Sequence, residues 1–394
     1  MPTRSCPRPD LRTRSRRRAA ATGAVLAAVA VVLAACSSSP SASTTTTQKS
    51  TTTTAASVTP ASLENWPTSA VSLQETGSSL LYPLFNLWTA DIQKQWPTVS
   101  ITTASTGSGT GISSAAAGTV NIGASDAYLS PGQMTQYPGL LDVPLAISGQ
   151  EIAYNVPGVT GNLKLDGPTI ASIYEGKVTN WDASQIKALN PGVTLPNLPI
   201  VTVHRSDSSG DTFLFSSFLT ASDPSGWTIP PGTTVSWPNV AGAVAAQGNG
   251  GMVQACQKNS GCIAYIGVSY LKQVTTAGLG YAALKNKAGH YELPTQSAMA
   301  AAAGQFASST PASGAVSMIF GSAAGGYPIV NYEYAIVPTK QPSALAAQAV
   351  KAVLGWAIDP TGGNASTYLD QVNFVALPSA VVSLSAKLLS GVTS

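Results

Sequence analysis

From Val71 onward, short apolar runs that read as strands alternate with stretches of helical periodicity, a rhythm that specifies layered α/β architecture. Val71–Gln74 reads as extended, and in Leu80–Trp96 the side chains of Leu81, Leu84, Leu87 and Trp88 share one helical face. Val99–Thr103 and Thr119–Ala124 read as strands around a helix near Ser113–Ala117. A second series opens at the strand Glu151–Val156. It continues through helices near Pro168–Glu175 and Ala183–Leu189, the strand Pro199–His204 and the helix Thr212–Leu219. The apolar strand Tyr327–Val337 then leads to a helix at Ser343–Ile358, and no internal repeat is evident.

About 330 residues follow Trp66, more than a single core ordinarily serves, so two domains are expected. Strand-rich stretches at Glu151–Val156 and Tyr327–Val337 let the chain cross between them twice. That divides it into a discontinuous lobe I (residues 66–150 and 327–394) and a lobe II (151–326), with a cleft between them where small ligands usually sit.

The N-terminus carries an export pattern. Seven arginines among residues 1–18 precede the apolar run Ala19–Ala35, which is shorter than the roughly 20 residues of a spanning helix. It ends in Leu33-Ala34-Ala35-Cys36, which resembles a bacterial lipobox. Residues 1–35 are therefore expected to be a signal peptide. Cys36 would be the first mature residue, carrying a diacylglyceryl thioether and an acylated amine that hold the protein on the outer face of the cell membrane. Residues 36–65 are rich in Ser and Thr and poor in large apolar side chains, and read as a flexible tether.

The signal holds seven of the 20 basic residues and one of the 17 acidic ones, leaving 13 and 16, a mature net charge of −3. Nothing basic remains to suggest nucleic acid as a partner. The two histidines, His204 and His290, stand far apart, which disfavours a His-rich metal site. Cys256 and Cys262 lie close together in an exported context, where a short-loop disulfide is expected; reduced thiols or a metal pair are the other readings.

Three segments put glycine and hydroxyl residues at helix starts: Thr76–Leu80, Thr106–Gly111 and Arg205–Thr212. Free amides and hydroxyls at a helix start point donors into a region of partial positive charge, and glycines let the backbone approach a ligand, so together they compose an anion cradle. Each alone is also compatible with capping or turn chemistry. The spacing of Gly107, Gly109 and Gly111 does not meet the requirements of a dinucleotide site.

Residues 118–130 (GTVNIGASDAYLS), 170–219 (opening IASIYEGKVTNW and including HRSDSSGDTF) and 327–337 (YPIVNYEYAIV) resemble the phosphate-specific substrate-binding proteins of ABC importers, and the likeness spans roughly Leu73 to the end. The resemblance implies two α/β lobes joined by two extended crossovers that close over a dehydrated phosphate. The partners it implies are the permease and ATPase subunits of an importer, with no cofactor, no metal and no catalytic residue. Carried over by motif, Ser79 contributes its hydroxyl and amide and Leu80 its amide, where relatives commonly have Thr-Phe. Ser108 matches the ligand-binding serine of the second loop. In the third, Arg205 gives a charge-assisted contact, Ser209 and Gly210 donate from the helix start, and Thr212 offers a hydroxyl.

Asp126 matches the family's discriminating carboxylate. An ionised aspartate only accepts hydrogen bonds, so it must meet a proton carried by the ligand, which phosphate has near neutral pH and sulfate lacks. Without the family match, Asp126 also reads as a helix or turn cap. Asp207 either holds Arg205 or lies solvated in a turn. Asp211 departs from the family pattern, in which a threonine contacts phosphate, and its role is open. The rival functions are a receptor for another oxyanion or a phosphate ester, and a serine-dependent phosphoesterase. The second would need His204 as base, yet its strand position points it away from Arg205, and no G-x-S-x-G elbow occurs.

Overall fold

The computed structural model describes residues 58–394, so the signal, Cys36 and most of the tether lie outside the described residues. Among the described residues there are twelve strands: β1 (Val71–Gly77), β2 (Val99–Ser105), β3 (Ile122–Ser125), β4 (Leu140–Tyr154), β5 (Lys164–Leu165), β6 (Val201–Arg205), β7 (Val244–Ala246), β8 (Cys262–Gly267), β9 (Gly280–Tyr281), β10 (Ala283–Lys285), β11 (Tyr291–Glu292) and β12 (Val330–Pro338). Nine form one sheet in the order β2-β1-β3-β12-β4-β8-β6-β7, with β9 also on β4, and the remaining three form a small sheet, β11-β10-β5.

The large sheet has two parallel wings and an antiparallel middle. β1 runs parallel to β2 and β3, and β6 runs parallel to β7 and β8. Between the wings, β4 is shared: residues 140–149 pair with β12, and residues 150–154 pair with β8. The pairing changes hands between Gly149 and Gln150. Strand β4 is buried along nearly all its length, as expected of a strand covered on both faces.

β4 is far longer than the Glu151–Val156 expected from sequence, because Pro144 breaks the strand signal. A proline is tolerated there because the β4–β12 register shifts between Glu333 and Tyr334, where Tyr334 faces Pro144. The helices at Tyr82–Gln95, Gly210–Ser222 and Ala344–Ile358 fall close to the expected ones, and Ser113–Ala117, expected to begin or continue a helix, continues one that starts at Ser108.

The tether's end also differs from expectation. Pro60–Leu63 form a helical turn closed by a Thr59–Ser62 capping box, and Leu63 is buried against Gly355. Its low-complexity composition hides one cap, one proline at the first helical position and one buried leucine, which suffice to dock the turn. Cys256 and Cys262 form a disulfide joining the end of the Gly248–Lys258 helix to the start of β8. Among the described residues no helix is long and apolar enough to cross a membrane.

Candidate functional site

The three glycine and hydroxyl segments leave the carboxyl ends of β1, β2 and β6, where parallel strands hand the chain to helices and where α/β sheets usually receive ligands. Ser78 Oγ accepts the Leu81 amide at 2.9 Å in the turn that leads into the Tyr82–Gln95 helix, so the turn alternative holds for that residue. The amides of Ser79 and Leu80 have no protein acceptor among the described residues, nor do those of Ser108, Thr110, Gly210, Asp211 and Thr212, because first-turn amides lack intrahelical partners.

Glycine lets the segments touch. A Cβ on Gly210 would lie 2.5 Å from Asp126 Oδ2 and 2.6 Å from Ser108 Oγ, and one on Gly107, whose φ is +92°, would lie 2.6 Å from the Ser208 carbonyl. The Gly109 amide donates to that carbonyl at 3.0 Å, joining the second segment to the third. Ser79, Ser108, Asp126, Arg205, Ser209 and Gly210 are thereby buried together.

Arg205 is clamped on two edges. Nε donates to Asp207 Oδ1 at 2.7 Å, Nη2 to Asp207 Oδ2, and Nη1 to Asp211 Oδ2 at 2.6 Å. Three of its five N–H bonds are so engaged, leaving one on each Nη for an anion. Burial opposes the guanidinium charge, but Asp207 and Asp211 outweigh it and hold its pKa above the usual value. Burial likewise opposes the Asp207 charge, and Arg205 prevails, keeping that carboxyl below its ordinary range. Asp207 is thus Arg205's holder, not a solvated turn residue.

Asp211 turns away from the free helix amides. Its carboxylate takes Arg205 Nη1, Asn249 Nδ2 at 2.8 Å and Gln150 Nε2 at 3.2 Å. Burial first, and the Asp126 charge second, push its pKa up to about 7. In place of a ligand hydroxyl, this position supplies a second brace for Arg205.

Asp126 follows β3 at the floor of the site. It accepts hydrogen bonds from Ser78 at Oδ1 and from Ser108 at Oδ2, the latter at 3.2 Å, and its amide donates to Ser108 Oγ at 3.2 Å. Burial raises its pKa, against the Ser78, Glu333 and Ser108 hydrogen bonds and the Arg205 charge, which lower it. Asp126 does not serve as a helix cap; its carboxylate is turned into the cluster.

Two donors differ from expectation. The Ser209 amide is taken by the Thr233 carbonyl at 2.8 Å, whereas its fully buried hydroxyl has no protein partner. The Thr212 hydroxyl is bonded to Tyr265 OH at 2.8 Å, a phenol that also receives the Arg205 amide at 2.9 Å. Thr212 therefore ties the Gly210–Ser222 helix to β8 instead of offering its hydroxyl, because the helical rotation from Gly210 carries its side chain toward β8. Leu80 contributes backbone only, its side chain lying over Gly267.

Sequence reasoning missed Asn249, Gln150 and Glu333. Gly248-Asn249-Gly250-Gly251 has the same glycine-rich helix-start grammar as the other three segments and was findable. Gln150 and Glu333 are polar residues inside buried strands, and burial of such residues is itself a signal. His204 stacks on Trp237 at 5.4 Å between ring centroids, with Nδ1 on the Arg205 carbonyl, and forms no hydrogen bond with a serine. Among the described residues no cluster of His, Cys, Asp and Glu could hold a metal.

A sheet with two parallel wings around a shared strand, with donors from both wings converging on one buried point, is the architecture of a two-lobed solute-binding protein. A family model described as a PBP superfamily domain matches residues 37–361. The phosphate-binding protein PstS of Xylella fastidiosa (strain Temecula1) is 32% identical over 329 residues, covering 83% of this chain and 86% of that protein. PstS of Methanocaldococcus jannaschii is 30% identical over 341 residues, covering 81% and 86%. The chain belongs to the PstS family of phosphate-binding proteins. Its fold is shared by the periplasmic phosphate-binding protein PfluDING, at TM-score 0.65 and 22% identity over 79% of this chain and 92% of that one. It is shared too by the phosphate-binding protein of Stenotrophomonas maltophilia, at 0.63 and 21%, with the same coverage.

Proposed function

We propose that this protein binds inorganic phosphate outside the cytoplasmic membrane and delivers it to the permease and ATPase subunits of an ABC importer. The observation that carries the reading is the convergence, at one buried point, of unpaired helix-start amides, the doubly braced Arg205 and a single acceptor, Asp126. Donors alone would suit any oxyanion. The Asp126 carboxylate, unlike those of Asp207 and Asp211, is not spent on Arg205, and it selects an anion that brings a proton, because a fully deprotonated one would set lone pair against lone pair in a dry site.

In this reading the amides of Ser79, Leu80, Ser108 and Gly210, the hydroxyls of Ser79 and Ser209, and the two remaining N–H bonds of Arg205 surround the phosphate oxygens, while the Ser108 hydroxyl holds Asp126. Asp126 accepts a hydrogen bond from the ligand's O–H. Lobe I (66–150, 327–394) and lobe II (151–326) close around the ligand about the two crossover strands. The lipobox-like Cys36 anchors the protein by lipid, and the segment after it keeps the body near the transporter.

Isothermal titration of the purified, phosphate-stripped protein tests the reading. Phosphate heat without sulfate heat, lost in Ser108→Ala and Asp126→Asn, is expected. Heat from neither anion, or equal heat from both, would overturn it.

A further inference from the structure

Glu333 lies on β12, fully buried, and its two carboxyl oxygens keep unlike company. Oε1 accepts from Ser148 Oγ at 2.5 Å and from Asn331 Nδ2 at 2.9 Å, whereas buried Oε2 has no donor. The antiparallel register sets Tyr334 of β12 against Ser125 of β3, which brings Glu333 opposite Asp126. Asn331 ties the two residues further, since the same Nδ2 reaches the Asp126 carbonyl at 3.3 Å. Two ionised carboxylates in contact, out of water, repel at full strength, and a single proton between them removes the conflict.

The donors around each carboxyl decide where that proton resides. Asp126 has a hydroxyl on each oxygen and the attraction of Arg205, so it is the better supported anion. Glu333 has donors on one oxygen only, and the orphaned Oε2 is satisfied as soon as it carries hydrogen and Asp126 accepts it.

We propose that Glu333 is a positioning residue for anion selectivity, a neutral carboxylic acid whose O–H donates to Asp126 from behind and keeps that aspartate an acceptor toward the ligand. This rests on the phosphate reading above and adds a residue to it. A carboxylate offers about four acceptor positions. Ser78, Ser108 and Glu333 fill three, leaving one for a proton on the bound anion. Burial, and then the Asp126 charge, push the Glu333 pKa well above the usual carboxyl range, in keeping with a neutral acid.

Removing the donor leaves Asp126 short of one partner and raises its own affinity for a proton. A protonated Asp126 would donate to sulfate and blunt the discrimination. Glutamine retains an N–H donor and an acceptor for Ser148 and Asn331, so Glu333→Gln should rescue what Glu333→Ala loses.

The test compares wild type, Glu333→Ala and Glu333→Gln by phosphate and sulfate titration, and wild type with Glu333→Gln by infrared difference spectroscopy at neutral pH. The expected result is a phosphate-over-sulfate preference at least tenfold lower in Glu333→Ala, largely restored in Glu333→Gln. The difference spectrum should show loss of a protonated carboxyl band. Loss of an ionised carboxylate band instead, or an undiminished preference in Glu333→Ala, would overturn the assignment. If Glu333→Ala does not fold, the spectrum of Glu333→Gln decides alone. A wild-type protein that binds no phosphate would instead bring down the underlying reading, and that outcome is seen before any variant is measured.

Discussion

Ser79 Oγ accepts two hydrogen bonds from one residue, the Asn249 backbone amide at 3.1 Å and the Asn249 Nδ2 at 3.0 Å. Asn249 is itself saturated, since Nδ2 also donates to Asp211 Oδ2 at 2.8 Å and its Oδ1 accepts the Gly267 amide at 2.8 Å. With its lone pairs so occupied, the Ser79 hydroxyl must direct its proton elsewhere, toward the anion. Asn249→Ala should therefore weaken phosphate binding by about tenfold, the loss of one or two hydrogen bonds in a dry site. Asn249→Asp, which sets a second carboxylate against Asp211, should weaken it more. Titration of both variants checks the order, and an equal or reversed order would reject the argument.

Asp126→Asn exchanges an acceptor for a group that can also donate. Phosphate affinity should fall by about ten- to a hundredfold, and sulfate binding should become measurable. The readout is competition between the two anions; a variant that still ignores sulfate would show that selectivity lies elsewhere in the site.

Glu75 on β1 gives a pH dependence of stability separate from binding. Burial raises its pKa to about 8. The unfolded chain gives up this proton near 4.5, and the folded chain holds it to about 8. Stability from this group is then complete below the lower value and is lost as pH rises to the upper one, on the order of several kcal/mol in all. Glu75→Gln cannot titrate. Its melting temperature should fall less than wild type's between pH 5 and pH 8, and parallel curves for the two proteins would count against the buried proton.

The Cys256–Cys262 disulfide fixes the far end of the helix whose first turn bears Asn249. Closing so short a loop constrains the unfolded chain by about 2 kcal/mol. Replacing both cysteines with alanine should lower the urea midpoint accordingly and should also weaken phosphate binding through a less firmly held Asn249. A lower midpoint with unaltered binding would separate the two roles.

Ser79, Ser108 and Arg205 were legible because their signal is local: glycine and hydroxyl residues at the start of a helix mean much the same wherever the helix lies. Asn249 carried the same signal and escaped notice only because its segment lacked serine. Gln150 and Glu333 are different in kind. Gln150 gains its role from Asp211 on a helix and Glu333 from Ser148 on β4, partners far away in sequence that meet only after the sheet has formed. Thr212 misled for a related reason, since its hydroxyl belongs to the right segment but the turn of the helix gives it to Tyr265. Among the strands, Pro144 concealed the first half of β4, because a proline is compatible with a central strand only at an irregularity that the partner strand must supply.

Ser148 and Gln150 stand two residues apart on β4, on either side of the point where its pairing passes from β12 to β8. The first steadies Glu333 behind the aspartate, and the second steadies Asp211 behind the arginine. Both supports hang from one three-residue run of backbone, so the acceptor and the charge it faces are anchored to the same joint and neither can be displaced there without the other.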